Sequence, residues 1–313
     1  MKPLFFKGVY KDYIWGGNKL KEKYGKETDI NPVAESWELS CHKDGMSVID
    51  GGEYDGVSLK DYLNEHPEAL GENNTTGELP ILIKLIDAED NLSVQVHPND
   101  ELAKKWEGDN GKTEMWYVID TEPNAEIVYG VKNDCTEDDL KNAIKSGNLE
   151  KLLNSVKSNK GDVFFVKSGT IHAIGKGNLI AEIQQNSNVT YRLYDYNRIG
   201  KDGKPRELHI DKGVASSNTK VIKRDAPTEN ADGTRTLATC EYFTVKEIKL
   251  NNDKYCLCAD KASYHALTVT EGDILFRNDE CEITLKCGRT VFIPANCGEY
   301  TISGTGCVLL TSN

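Results

Sequence analysis

Two short alternations of polar and apolar residues constrain the fold of this chain most strongly. Residues 92–98 read Leu-Ser-Val-Gln-Val-His-Pro, and residues 112–116 read Lys-Thr-Glu-Met-Trp. Because alternate side chains of a strand point to the same face, each segment is predicted to be a β-strand with one polar face. The polar faces carry Gln95 and His97 in the first strand and Glu114 in the second. Nitrogen and oxygen side chains in this pattern predict two strands that converge on a metal ion.

A third segment, residues 161–172, ends in another candidate ligand, His172. An apolar strand is followed by Gly169, which permits a tight turn, and the histidine stands three residues later. This pattern resembles the second sequence motif of the cupins, except that Lys167 occupies its proline position. The resemblance implies a jelly-roll barrel with the histidine turned into it. The predicted ligands of one catalytic divalent metal ion, such as Zn2+, are Gln95, His97, Glu114 and His172.

Beyond the cupin pattern, the chain resembles the type I mannose-6-phosphate isomerases, in particular their short bacterial form. The family's motifs are a Gln-x-His-Pro strand, a Lys-x-Glu, a later histidine, and a glutamate and an arginine ten residues apart. The matching residues are Gln95, His97, Pro98, Lys112, Glu114, His172, Glu182 and Arg192. Residues 15–17 (Trp-Gly-Gly) and 35–38 (Glu-Ser-Trp-Glu) extend the match. Many members have His-Lys-Pro-Glu where residues 111–114 read Gly-Lys-Thr-Glu, so no histidine can serve there as an acid or base.

The family resemblance implies a metal-dependent aldose-ketose isomerase that interconverts mannose 6-phosphate and fructose 6-phosphate through a cis-enediol. It implies that Arg192 stabilises the charge of the transition state. Glu182 is the first choice for the base that moves the proton, and Lys112 is the second. Spacing alone does not decide between them.

Lys84 interrupts the continuous apolar run of residues 81–86, which is predicted to be a strand buried on both faces. Desolvating an ammonium group is costly, so this lysine either reaches water or faces a bound anion. Because Ser93 stands on the next strand, we favour the anion. The resemblance places the sugar-phosphate pocket at these positions, and the residues predicted to hold the phosphate are Lys84, Ser93 and Arg198.

Two other functions stay open at this point, because cupins carry many activities. A non-catalytic sugar-phosphate sensor would need the anion pocket but no base. An iron-dependent cupin oxygenase is the second alternative, although such sites are usually richer in histidine.

Charge and composition exclude several kinds of partner. A formal net charge of -12 over 313 residues argues against nucleic acid or an anionic membrane surface. The apolar part of the N-terminus is too short for a signal peptide, and no run approaches a membrane span. We therefore expect a cytoplasmic monomer or weak homodimer that acts on a small-molecule sugar phosphate. The nine cysteines contain no Cys-x-x-Cys pair and are assigned to packing.

The predicted fold is mainly β and consists of two cupin barrels. Residues 1–215 would form the metal-binding catalytic domain, with helical insertions at about 99–107 and 136–156. Residues 216–313 would form a second, metal-free barrel. An internal repeat supports this division, because the pattern of residues 161–169 returns at 288–296, where Glu299 stands in place of the later histidine.

Overall fold

Antiparallel strands are the main secondary structure of the computed structural model, which describes residues 2–200 and 203–313. In the first two thirds of the chain they are β1 Phe6–Lys7, β2 Val9–Lys11, β3 Glu35–Leu39, β4 Val48–Ile49, β5 Ile81–Ala88, β6 Val94–Val96, β7 Glu114–Thr121, β8 Glu126–Val131, β9 Leu153–Lys157, β10 Val163–Val166, β11 His172–Ile174, β12 Asn178–Gln185 and β13 Tyr191–Tyr194. The later strands are β14 Thr228–Glu229, β15 Arg235–Thr239, β16 Thr244–Ala259, β17 His265–Glu271, β18 Ile274–Arg277, β19 Glu282–Leu285, β20 Thr290–Ile293 and β21 Gly298–Ser312. The prediction of a mainly β fold is confirmed.

Helices are short and few in the described residues. The α-helices are α1 Lys19–Tyr24, α2 Leu59–Glu65, α3 Asp100–Glu107, α4 Glu137–Lys145 and α5 Ile210–Ser216, and 3-10 turns span Pro67–Leu70 and Leu149–Lys151. The helix predicted at about 99–107 is confirmed, and the Asn99 side chain caps it by accepting a hydrogen bond from the Leu102 amide. Along the described ranges, no helix has the length and apolarity needed to cross a bilayer.

The prediction of a second helical insertion at about 136–156 is wrong in its later part. Helix α4 begins with a capping box formed by Thr136 and Asp139, but it ends at Lys145. Gly147 then adopts a left-handed φ of 69°, and residues 153–157 form β9. The apolar spacing fits a helix equally well, but pairing with β8 satisfies the backbone of this segment instead.

Two antiparallel sheets enclose the interior of the first part of the chain. A six-stranded sheet has the order β10-β7-β12-β5-β3-β2, and a five-stranded sheet has the order β13-β6-β11-β8-β9. Apolar side chains of both sheets meet between them, including Trp116 and Ile180 from the first and Ile127 and Ile174 from the second. Polar residues on the same inner faces therefore point into the space that the two sheets share.

The other face of the six-stranded sheet packs against the C-terminal part of the chain. There β14-β15-β16-β21-β17-β20 form one sheet, and β18 and β19 extend it from β21. Ile83 and Met115 from the six-stranded sheet lie in the same buried cluster as Phe243, Val245 and Leu309. One apolar core thus joins the two parts of the chain.

Candidate active site

Three of the predicted metal ligands meet between the two sheets. His97 follows β6, Glu114 begins β7 and His172 begins β11. Their ligand atoms all lie within 4.8 Å of one another, and all three side chains are buried. The two histidine Nε2 atoms are 3.2 Å apart. The glutamate places Oε2 3.5 Å from Nε2 of His97 and Oε1 3.4 Å from Nε2 of His172.

Hydrogen bonds orient both histidines for metal binding. Nδ1 of His97 donates to the carbonyl of Val189 at 2.8 Å, and Nδ1 of His172 donates to the carbonyl of Thr170 at 2.7 Å. The proton therefore sits on Nδ1, and the lone pair of each Nε2 points toward the other ligands. Burial lowers the pKa of His172 to about 4, and burial together with the ammonium of Lys112 lowers the pKa of His97. Both rings are neutral, as metal ligands must be.

The glutamate also fits a bound cation. Oε1 of Glu114 is buried without a hydrogen bond in the described residues, so this oxygen has a free lone pair beside the two imidazoles. Burial and repulsion from Glu182 raise the pKa of Glu114, although Lys112 opposes them. A divalent cation at this position would favour the carboxylate form. Two imidazole nitrogens and one carboxylate oxygen are the donor set of many catalytic divalent metal sites.

Gln95 lies beside this group in the five-stranded sheet. It is paired with His172 on β11 and with Arg192 on β13. All three residues stand in one row across the sheet, and Gln95 and Arg192 line the same cavity.

A row of alternating charges leads away from the metal-binding group on the opposite sheet. Nζ of Lys84 lies 3.2 Å from Oε1 of Glu182 and 3.7 Å from Oε2 of Glu35. Nζ of Lys112 lies 2.6 Å from Oε2 of Glu114 and 3.6 Å from Oε1 of Glu182. Each ammonium group is therefore held between two carboxylates, which offsets the cost of burying these charges.

Two tryptophans fix the carboxylates of this row. Nε1 of Trp116 donates to Oε2 of Glu182 at 3.0 Å, and Nε1 of Trp37 donates to Oε2 of Glu35 at 2.7 Å. Burial raises the pKa of Glu182, but the ammonium groups of Lys112 and Lys84 outweigh it and lower the pKa to about 2. The same ion pairs outweigh burial at Lys84 and raise its pKa. Glu182 is therefore an ionised carboxylate and Lys84 an ammonium cation at neutral pH.

The charged row opens into a cavity of about 290 Å3. Six of the residues predicted from the sequence line it, namely Lys84, Ser93, Gln95, Lys112, Glu182 and Arg192. Other residues of its wall, including Tyr13, Glu35, Asn188 and Arg206, were not predicted as site residues. Arg192 donates from Nη1 to the carbonyl of Glu207 at 2.9 Å, which holds its guanidinium at the wall.

Arg198 does not line this cavity. Nη2 of Arg198 donates to Oδ1 of Asp195 at 2.6 Å, and Nη1 donates to the carbonyl of Asn91. Arg206 binds the same aspartate, with Nε 2.7 Å from Oδ2, and it does reach the cavity wall. No spacing in the sequence marks Arg206, because only the folded loop brings it beside Arg192.

A mainly β fold that buries a His-Glu-His group beside a cavity of paired charges is typical of a metalloenzyme. Residues 4–129 match the family model "Phosphomannose isomerase type I, catalytic domain", and residues 233–313 match "Mannose-6-phosphate isomerase, cupin domain". The chain belongs to the type I phosphomannose isomerase family.

Individual relatives agree with this assignment, and two of the comparisons cover nearly the whole chain. The mannose-6-phosphate isomerase ManA of Bacillus subtilis is 39% identical, and the alignment covers 97% of this chain and 96% of ManA. The mannose-6-phosphate isomerase of Streptococcus mutans is 43% identical over 68% of this chain and 67% of its own length. A crystal structure of the mannose 6-phosphate isomerase from Bacillus subtilis superposes with a TM-score of 0.93 at 36% identity and covers all of both chains. The family and the mainly β fold expected from the motifs are thereby confirmed.

Proposed function

We propose that this chain interconverts mannose 6-phosphate and fructose 6-phosphate. The observation that carries the proposal is the row Lys84, Glu182 and Lys112, which lines one cavity. Lys112 in turn contacts Glu114 of the buried His97, Glu114 and His172 group. Moving a proton between adjacent carbons requires an ionised base, and binding a phosphate monoester requires nearby cations. The cavity supplies both kinds of group.

The proposed metal is one Zn2+ per chain, held by His97, Glu114, His172 and Gln95. Bound there, the ion would supply Lewis-acid stabilisation of negative charge on the substrate oxygens. The position of Gln95 beside His172 in the sheet register supports its place as the fourth ligand.

Glu182 is the proposed base. Trp116 fixes one carboxylate oxygen, and the other oxygen lies near Lys84 and Lys112. The two ammonium groups keep the carboxylate ionised, so it can accept a proton from one carbon and return it to the next. Lys112 is the second candidate, but its ammonium already donates to Glu114 at 2.6 Å.

Cations around the cavity would bind the remaining charge of the substrate. Lys84 and Ser93 are proposed to hold the phosphate, and Arg192 to stabilise the charge that develops during proton transfer. Arg198 was also predicted from the sequence to hold the phosphate. Because Arg206 rather than Arg198 lines the cavity, we now assign this contribution to Arg206.

A second proposal concerns the division of the chain. We assign residues 1–215 to a metal-binding cupin barrel and residues 216–313 to a second barrel without metal. The facing six-stranded and five-stranded sheets support the first, and the repeated pattern at 288–296 supports the second.

The test measures conversion of mannose 6-phosphate to fructose 6-phosphate by the purified full chain. The protein is assayed as prepared, after treatment with a chelator, and after Zn2+ is added back, while elemental analysis counts the metal per chain. We expect activity to disappear and return together with one zinc. A folded, zinc-loaded chain that binds the sugar phosphate without converting it would overturn the isomerase proposal and favour a non-catalytic sugar-phosphate sensor.

A further inference from the structure

The second half of strand β16 has an open edge. On one side β16 pairs with β21 along its whole length, from Thr244 to Ala259. On its other side β15 pairs only with residues 244–247. Within residues 2–200 and 203–313, no strand pairs with the outer side of residues 253–259. Tyr255 contacts Asp232 through its side chain, which leaves the backbone donors and acceptors of this edge available to another strand.

Side chains alternate along this edge between the core and the solvent. Tyr255 and Leu257 pack against the apolar core of the C-terminal sheet. Lys254, Cys256 and Cys258 are exposed on the opposite face. Lys254 has no ion pair in the described residues. Two exposed thiols, two residues apart on the open edge of this strand, are not explained by packing.

We propose that this edge pairs with the same edge of a second copy of the chain, antiparallel and centred on Leu257. In a symmetric antiparallel pair, residues equally far from the centre lie directly opposite each other with their side chains on the same face. Lys254 of each copy then faces Asp260 of the other, and Cys256 faces Cys258. The two lysine-aspartate pairs follow from one register and from the two-fold axis.

Neighbouring registers do not give this match. If the pairing is centred on Cys256, Lys254 faces Cys258 and Asp260 faces Asn252. If it is centred on Cys258, Lys254 faces the half-buried Ala262. Asp260 keeps one carboxylate oxygen for the contact, because Oδ1 accepts from the Ala262 amide. Charge complementarity therefore selects both the partner and the register.

Charge exchange tests the pairing in reducing buffer by sedimentation velocity over a series of concentrations. Lys254→Asp places two aspartates opposite each other at each contact, and Asp260→Lys places two lysines opposite each other. Each variant should therefore dimerise about tenfold more weakly. The double variant, or an equimolar mixture of the two single variants, restores opposite charges and should restore the dimer. Lys157→Asp, on the exposed edge strand β9, makes the same charge change elsewhere and should have no effect.

Cross-linking tests the register. Diamide accepts two electrons and two protons from a pair of facing thiols as their disulfide forms. The unmodified chain should give a Cys256 to Cys258 disulfide between copies, whereas Cys256→Ser and Cys258→Ser should cross-link only when they are mixed. Melting curves verify that each variant is folded. A chain that stays monomeric at every concentration, or a dimer that ignores the charge exchange, would overturn the proposal.

Discussion

Lys84 and Glu182 lie directly opposite each other on β5 and β12, and 3.2 Å separates Nζ of the lysine from Oε1 of the glutamate. Both side chains are at least 95% buried. A buried pair of this kind contributes little net stability, but the loss of one partner leaves an uncompensated charge in the interior. The pair therefore makes the stability of the fold depend on a residue that we place in the active site.

Replacing Lys84 by methionine should lower the free energy of unfolding by about 3–5 kcal/mol, because Glu182 and Glu35 lose their shared cation. Adding Glu182→Gln should recover part of this loss, since it removes one of the two carboxylates that Lys84 neutralised. Urea unfolding of the four proteins in the cycle measures the coupling. Strictly additive losses would show that the two residues do not interact.

Glu182→Gln should lower kcat by about 100-fold to 10,000-fold, because an amide cannot accept the proton. The zinc content should stay at one per chain, since this residue is not a proposed ligand. Steady-state kinetics with mannose 6-phosphate and elemental analysis measure both quantities. Lys112→Met is the matched comparison, and a larger loss of kcat in that variant than in Glu182→Gln would assign the base to Lys112.

Arg192→Ala should lower kcat by about 100-fold or more, as expected when a group that stabilises developing charge is removed. Arg198→Ala should leave kcat close to that of the unmodified enzyme and reduce thermal stability instead, because its guanidinium binds Asp195 and Asn91. Kinetics, zinc content and melting temperature distinguish the two arginines. Loss of zinc in Arg192→Ala, or equal losses of kcat in both variants, would contradict the assignment.

His265 should contribute to acid sensitivity. Burial lowers its pKa to about 4, while in the unfolded chain the pKa is about 6.5. The unfolded state therefore binds a proton first, and the free energy of unfolding falls as the pH drops from about 6.5 toward 4. His265→Gln keeps a polar group near the hydroxyl of Tyr300, which lies 2.7 Å from Nδ1.

In the His265→Gln variant the difference in unfolding free energy between pH 7 and pH 5 should shrink by about 1–2 kcal/mol. Urea unfolding at the two pH values measures it. His66→Gln is a suitable control, because this partly exposed histidine lies at the end of α2. An unchanged difference in His265→Gln would mean that the imidazole becomes protonated without cost.

Alternation along single strands and one glycine turn were enough to predict that three side chains converge. Glu114, His97 and His172 were expected to converge, and their ligand atoms do. This succeeded because a two-residue period and a glycine turn are local properties of the sequence. The partners of Lys84 were not predictable in the same way. Glu35 and Glu182 are far from it along the chain, and only the register of β3, β5 and β12 brings them together.

Two departures from the expected structure have the same physical origin. Residues 153–157 have a spacing that fits a helix, but the open edge of β8 binds them as a strand. Arg198 was predicted to hold the phosphate, yet its guanidinium binds Asp195, and Arg206 reaches the cavity wall instead. In both cases a contact between distant segments decided the outcome, and a local sequence pattern cannot predict such a contact.

The apolar core shared by the two parts of the chain couples the C-terminal part to the proposed active site. Strands β5, β7 and β12 carry Lys84, Glu114 and Glu182 on one face, while Ile83 and Met115 on the other face rest against Phe243 and Leu309. A shift of a few tenths of an ångström behind the sheet would be transmitted to the charged groups in front of it, because well-packed interiors transmit strain. Substitutions at C-terminal residues far from the cavity are therefore expected to change turnover. The apolar residues behind the six-stranded sheet are constrained by the groups that the same sheet positions on its other face.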